Sequence, residues 1–276
     1  MTEKNTLYVV GTPIGNLGDL SPRAAEVLSE VDFIAAEDTR VTLKLLNHLG
    51  IKKPMVSYFE HNKAQRTGEI CQRILKGESC AVVSDAGMPC ISDPGEDLVR
   101  ECGNLGIKTV VVPGPSALIS ALCVSGLSTG RFTFEGFISV NKKSRKEHLQ
   151  SLTNEKRTMI FYEAPHKLAN TLKDLYTHFG ERKLTIVREI TKIHEEVIRT
   201  DTKSAAESID ETPLKGEIVL VLDGKAEEAK KEMTLEEALT LATQFIEEGI
   251  KASDAAKKAA SISGLKKNEI YRELTK

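Results

Sequence analysis

The sequence predicts an α/β protein made of two α/β domains and a small C-terminal helical domain. Three observations carry this reading. The first 112 residues repeat a short apolar run, a loop rich in Gly, Pro, Ser or Asp, and a helical stretch, which is the pattern of a mostly parallel sheet. A second series of apolar runs follows a charged interruption near Asn141. Beyond Gly224 the chain turns charged, then helical, with Gly249 and Gly264 as punctuation.

In chain order, Leu7–Val10, Phe33–Ala36, Cys80–Val83 and Thr109–Val112 are four short apolar runs, as expected of strands buried on both faces. Met55–Phe59 is read as a further strand. Ser21 followed by Pro22 marks a helix start, and Lys63 to Lys76 reads as a helix stopped by Gly77. The segment from Asn141 reads as charged and flexible, and a domain boundary is expected between residues 120 and 145. Then come strands at Thr158–Tyr162, Leu184–Val187 and Ile218–Leu222, a helix from Pro165 to His178, and a strand over Glu195–Thr200. Lys225 to Glu232 reads as a linker. Leu235–Glu248, Ala252–Ser261 and Lys267–Leu274 read as three helices of helix-turn-helix size. The expected domains are residues 1–120, 121–224 and 233–276.

Composition bounds the functional classes. A chain of 276 residues, 40% hydrophobic and 28% charged, buries a sizeable core and has room for about two domains. Met1 to Asn5 lacks the basic start and apolar run of a signal peptide, and no stretch reaches the roughly 18 apolar residues of a membrane span. The expectation is a cytoplasmic protein without a membrane partner. Five cysteines without Cys-x-x-Cys spacing imply reduced structural thiols, not a disulfide framework or zinc site. The six His are scattered, with His166 and His194 lacking a ligand-spaced partner, so no metal is expected. A net charge of −2 leaves nucleic-acid binding to local basic segments. Two stand out: Lys142–Lys146, and the tail from Lys251, with seven Lys or Arg against three Asp or Glu.

Ligands of open parallel sheets gather at the carboxyl ends of the strands, where the most unusual sequence lies. The first such loop, Gly11-Thr12-Pro13-Ile14-Gly15-Asn16, has glycines at 11, 15 and 18. It is therefore not a Gly-x-Gly-x-x-Gly dinucleotide turn, and by itself a tight turn explains it equally well. The second, Val83 to Gly95, packs two Asp, two Pro and two Gly into thirteen residues. Such a rigid loop presents backbone amides to a polar ligand. The third, Val112 to Ala117, opens a helix at Ser116, whose hydroxyl either helps hold a carboxylate or serves as a plain N-cap.

Taken together, Leu7 to Asn16, Ala36-Glu37-Asp38-Thr39-Arg40, Glu60-His61-Asn62, Ser84 to Gly95 and Pro113 to Ala117 resemble the tetrapyrrole-methylase superfamily. Within it they resemble most the ribosomal RNA small-subunit methyltransferase I family, over the whole chain. The resemblance implies a two-domain α/β enzyme, commonly a homodimer, that holds S-adenosylmethionine between its domains and 2′-O-methylates a cytidine of the decoding region. It implies cofactor contacts at Pro13 and Ile14, at Asp85, Ala86, Gly87, Met88 and Ile91, and at Ser116 and Ala117. On the second domain it implies Tyr162, Glu163 and Ala164, then Lys215, Gly216 and Glu217. The broader superfamily has Gly-Asp-Pro where this chain has Gly87-Met88-Pro89, a departure that argues against a tetrapyrrole substrate.

Methyl transfer to oxygen requires in-line geometry and help in removing the hydroxyl proton. His61 or one of Glu37, Asp38 and Glu60 is the expected base, with Arg40 and Arg23 at phosphate or ribose; alternatively, Glu37 and Arg40 form an ion pair that only shapes the loop. Asn62, Lys266 and Lys267 are further candidates for RNA contact, within an assembled small subunit recognised by shape. Competing readings are a methyltransferase for a porphyrinoid-like small molecule, a non-catalytic ribosome-binding protein of this fold, and an NAD-dependent oxidoreductase. For the last, Glu37 would be the ribose-binding acid.

Overall fold

The computed structural model describes residues 2–211, 213–226 and 233–275. Residues 1–225 form one unit and 226–276 another. Of the segment read as a linker, residues 227–232 lie outside the described residues.

The larger unit opens with an alternation of strands and helices: β1 Thr6–Val10, α1 Pro22–Glu30, β2 Phe33–Ala36, α2 Thr39–His48, β3 Met55–Ser57, α3 Lys63–Leu75, β4 Cys80–Val83, α4 Glu96–Asn104 and β5 Lys108–Val112. Its five strands pair in the order β3-β2-β4-β1-β5, all parallel. The runs of β1, β2 and β4 are buried because helices cover both faces, whereas Thr109–Val112, expected to be buried likewise, lies in the edge strand β5 and reaches the core only at Val112, with Val111 54% exposed. Leu7, Phe33, Ile70 and Leu98 pack on the α3 and α4 side, while Tyr8, Val27, Ile34 and Leu46 pack on the α1 and α2 side. Helix α1 starts as the Ser-Pro pair predicts. Ser21 accepts a hydrogen bond from the Ala24 amide at 3.1 Å, with Pro22 at the first helical position. Ser21→Ala removes this side-chain cap, leaving the Ala24 amide only the Ser21 carbonyl, and is expected to lower the unfolding free energy by about 1 kcal/mol, read as a shift in denaturation midpoint at unchanged slope.

After α5 Ala117–Ser125 come β6 Phe132–Phe137, α6 Lys142–Ser151, β7 Thr158–Glu163, α7 Leu168–Phe179, β8 Lys183–Arg188, β9 Glu196–Asp201, α8 Thr202–Ser208 and β10 Ile218–Leu222. These strands form a second sheet in the order β6-β7-β10-β8-β9, with only β6 and β7 parallel. Helix α5 leaves the last loop of the first sheet and packs on the second, through Leu118, Ala121 and Leu122 against Ile160, Val187 and Val219. Two elements depart from the sequence reading. The charged stretch after Asn141 is helical, because the Asn141 side chain accepts from the amides of Lys143 and Ser144 and Leu149 is buried in the core. Phe132–Phe137 forms an edge strand beside β7, with a register shift at Gly136.

The small unit comprises α9 Leu235–Glu247, α10 Ala252–Ser263 and α11 Lys267–Leu274. They close over Ala238, Ala242, Ala256, Ala259 and Ile270, and Thr234 and Glu237 cap α9 reciprocally. No helix among the described residues is long and apolar enough to cross a membrane. All five cysteines are free, with Cys71 and Cys102 facing each other at 3.8 Å in the first core.

Candidate active site

The three loops of the first sheet are fastened to one another before any ligand is considered. Thr12 and Gly87 exchange backbone hydrogen bonds of 2.9 and 3.1 Å, the Gly11 amide donates to the Val112 carbonyl, and the Thr12 hydroxyl donates to the Ser84 carbonyl. Gly11 and Gly114 touch backbone to backbone. A Cβ on Gly11 would lie 2.6 Å from the Gly114 Cα, and one on Gly114 would lie 2.8 Å from the Gly11 carbonyl carbon. The twelve-residue loop between β4 and α4 turns at Cys90 and Ser92, whose φ angles are 72° and 62°. Such backbone is costly for non-glycine residues and recurs where function over-determines it.

Between these loops and the second sheet lies a cleft of about 440 Å³, within the usual size of small-molecule sites. Ile14, Asp85, Ala86, Gly87, Met88 and Ile91 line it from the first two loops, and Ser116 and Ala117 from the third. Tyr162, Glu163, Ala164 and Glu217 line it from the second sheet. All of these were expected at the cofactor. Pro13, Lys215 and Gly216 do not line it. Pro13 faces a separate cavity beside α2, and the Lys215 carbonyl is engaged by Arg188. The Gly216 backbone lies against the Glu189 carboxyl.

The Ser116 hydroxyl is not a cap: Ser116 occupies the N-cap position of α5, but its side chain makes no capping hydrogen bond and it lines the cleft. The α5 terminus is instead served from across the cleft, where the Tyr162 hydroxyl accepts from the Leu118 amide at 3.1 Å. Phe134 and Phe137 hold that ring edge-on, with centroids at 4.9 and 5.6 Å. Glu163 spends its carboxylate inward, accepting from the Ala164 amide and the Thr171 hydroxyl. Glu217 pairs with Lys192, which also holds Glu189; the stem of Lys192 lies against Gly15 of the first loop. Lys192 therefore ties the second sheet to the rim of the first.

The electrostatics have one sign. Glu37, Asp85, Asp93, Glu163 and Glu217 line the cleft, and no lining residue is Lys or Arg. Glu37 and Asp85 are interlocked: the Asp85 amide donates to Glu37, and the Asp38 amide donates to Asp85. Burial raises both carboxyls above the ordinary range. Burial, with Glu37 as the nearest like charge, pushes Asp93 up to about 6. Asp93 is the residue that sequence reasoning missed. Its type was visible in the loop, but only the turns at Cys90 and Ser92 bring it back to the cleft.

The remaining candidates divide. Glu37 lines the cleft, but Arg40 does not pair with it; the guanidinium grips Asp38 through three contacts of 2.6 to 3.2 Å and, with the Arg40 amide, holds that carboxyl down at about 2. The anticipated Glu37–Arg40 pair is thus replaced by Asp38–Arg40, because Asp38 also caps α2. Glu60 lines a neighbouring groove and pairs with Lys63. His61 is exposed, edge-on to Phe59. Asn62 uses both ends of its amide to hold the turn before α3, donating to the Ser57 carbonyl and accepting from the Phe59 amide. Arg23 is exposed on the first turn of α1 and does not line the cleft. Lys266 and Lys267 lie in the small unit, where Lys267 donates to Ser253.

Comparison with known proteins agrees with this geometry. Residues 6–206 match the family described as Tetrapyrrole (Corrin/Porphyrin) Methylases. The chain is 46% identical over 267 residues to "Ribosomal RNA small subunit methyltransferase I" of Synechocystis sp., covering 96% of each chain. It is 48% identical over 219 residues to the protein of the same name from Thermotoga maritima, covering 79% of this chain and 98% of that one. Among solved structures, the uroporphyrin-III-C-methyltransferase of Thermus thermophilus shares the fold with a TM-score of 0.56 at 19% identity, over 80% of this chain and 94% of that one.

Proposed function

The chain belongs to the ribosomal RNA small subunit methyltransferase I family, within the tetrapyrrole methylases, and from that premise we propose the following activity: transfer of a methyl group from S-adenosylmethionine to the 2′-oxygen of a cytidine ribose in the decoding region of small-subunit ribosomal RNA. The observation that carries the cofactor assignment is the charge of the cleft. A pocket lined by five carboxyl residues and no cation favours a ligand bearing a sulfonium and an ammonium, and disfavours the pyrophosphate of a dinucleotide. Ser116, at the N-terminus of α5, is suited to the single carboxylate of that ligand. Tyr162 and the aliphatic side chains of Ile14, Met88 and Val219 supply apolar wall for its adenine.

When bound, S-adenosylmethionine supplies an activated methyl group whose departure leaves a neutral thioether. The protein has to align an acceptor hydroxyl with that group and receive its proton. Glu37 and Asp93 are the residues placed for the second task, since both line the cleft and both carboxyls are raised towards neutrality. Asp38, held near pH 2 by Arg40, is a poor base. The protein is expected to act in the cytoplasm on an assembled small subunit. Ile119, Cys123 and Val124 on the outer side of α5 are exposed and offer an apolar face to a second copy.

Two measurements test this reading. Calorimetry with S-adenosylmethionine should give one site per chain; no heat at millimolar cofactor leaves only a non-catalytic role. Mass spectrometry of small-subunit RNA incubated with protein and cofactor should then show one ribose-methylated cytidine. An unmodified RNA, or methylation of a porphyrinoid instead, overturns the substrate.

A further inference from the structure

The cleft has two side approaches, and they differ in charge. On the α3 and α4 side is a groove of about 490 Å³ carrying Glu37, Glu60, Asp93, Glu96 and Asp97. Its cation, Lys63, is already held by Glu60 and Asp97 at 2.9 Å each. On the opposite side, α2 contains no Asp or Glu and carries Arg40, Lys44 and His48 four residues apart, hence on one helical face. Lys52 and Lys53 follow in the loop after the helix. Among the described residues Lys44 makes no ion pair. A polyanion is drawn to the α2 side and repelled from the other.

Between α2 and the first loop lies a cavity of about 210 Å³, below the roughly 300 Å³ at which sites for whole drug-sized ligands begin and suited to one flat ring system. Its walls are Pro13, Leu17, Val41 and Leu45; Leu17 and Val41 remain 49% and 37% exposed. The buried Thr42 and the carboxyl of Asp85 give it polar edges, and Asp85 also lines the main cleft. Lys44 stands among the lining residues.

Building on the activity proposed above, we infer that this cavity receives the base of an unstacked RNA nucleotide while its flanking phosphates follow Lys44 and His48. The sugar then lies over Asp85, at the edge of the methyl-donor cleft. Side chains reach the atoms of a nucleotide only when its base leaves the stack, and an apolar slot compensates for the stacking that is lost. Lys44 carries the phosphate contact, because Arg40 is committed to Asp38.

The test uses full-length protein and small ribosomal subunits from cells lacking it. Val41→Trp fills the slot and is expected to reduce methylation at least about a hundredfold, while S-adenosylmethionine affinity by calorimetry changes less than about twofold. Lys44→Glu is expected to raise the KM for subunits about tenfold and to lower the slope of log affinity against log salt by about one; Lys44→Arg restores both. Lys76→Glu, at the far end of α3, changes neither. Wild-type methylation by both Val41→Trp and Lys44→Glu overturns the nucleotide site and leaves the proposed activity standing. Loss of cofactor binding in Val41→Trp also overturns it, assigning the cavity to the cofactor. If the wild-type protein itself leaves the subunits unmethylated, the proposed activity is what fails, and this site with it.

Discussion

Gly11→Ala is expected to destabilise the larger unit by about 3 kcal/mol and to eliminate cofactor binding. The added Cβ would sit 2.6 and 2.7 Å from the Cα and amide nitrogen of Gly114. Backbone atoms cannot swing aside as a side chain can, so the first and third loops must separate. That separation strains the Gly11–Val112 hydrogen bond and moves Ser116, one wall of the cleft. The control lies in the same loop: a Cβ on Gly18 approaches only the Asn16 side-chain oxygen, at 3.2 Å, so Gly18→Ala should stay within about 0.5 kcal/mol of wild type. Denaturant unfolding with S-adenosylmethionine calorimetry checks both. Equal stability of the two variants would refute the idea that contact between loops fixes the site.

Asp93→Asn should make the protein more stable and less active, and the gain in stability should depend on pH. The native carboxyl is raised from its model-compound value of 3.8 to about 6, first by burial and then by Glu37. An acid with a raised native pKa penalises the folded state once it ionises. The penalty is absent below pH 4, grows between pH 4 and 6, and is complete above that window. A shift of this size is worth at most about 3 kcal/mol, which solvent at the cleft reduces to about 1–2 kcal/mol. Asparagine keeps the shape of the side chain and removes the charge beside Glu37. Melting temperature is therefore expected to rise by about 2–8 °C at pH 8 and not at all at pH 4. Methyl transfer should fall about a hundredfold if the carboxylate receives the proton. Equal gains at both pH values would exclude the ionisation account, and full activity would leave Glu37 as the base.

The inner strands of the first sheet were legible because they are buried on both faces and read as unbroken apolar runs. Phe33–Ala36 and Cys80–Val83 have the observed bounds, and so does Ile218–Leu222 in the second sheet. Ser21-Pro22 fixed the start of α1 through a side-chain cap, a purely local signal. Less was legible where tertiary contacts overrule composition. Lys142–Ser151 buries little beyond Leu149, so its charge masks the helix, and β6 exists by pairing with β7. Within the site, the loops announced themselves by their glycines and prolines, whereas Asp93 depends on backbone reversals that no spacing rule predicts. The partner of Arg40 was equally opaque. Asp38 takes it by capping α2 two residues away, a competition that depends on helix geometry.

Helix α5 starts in the last loop of one sheet and lies on the other, reached through Pro113 and Pro115 and fastened at its first turn by Tyr162. Two pyrrolidine rings hold φ near −65° just where the halves meet, and the helix that follows packs on the second sheet. Opening the cleft like jaws would carry α5 and its Leu118–Tyr162 bond along with the second sheet, but would have to move the Lys192 stem off Gly15. On the proposed activity, discrimination between S-adenosylmethionine and its demethylated product is expected to rest on the charge lost with the methyl group, because five carboxyl residues and no Lys or Arg line the cleft.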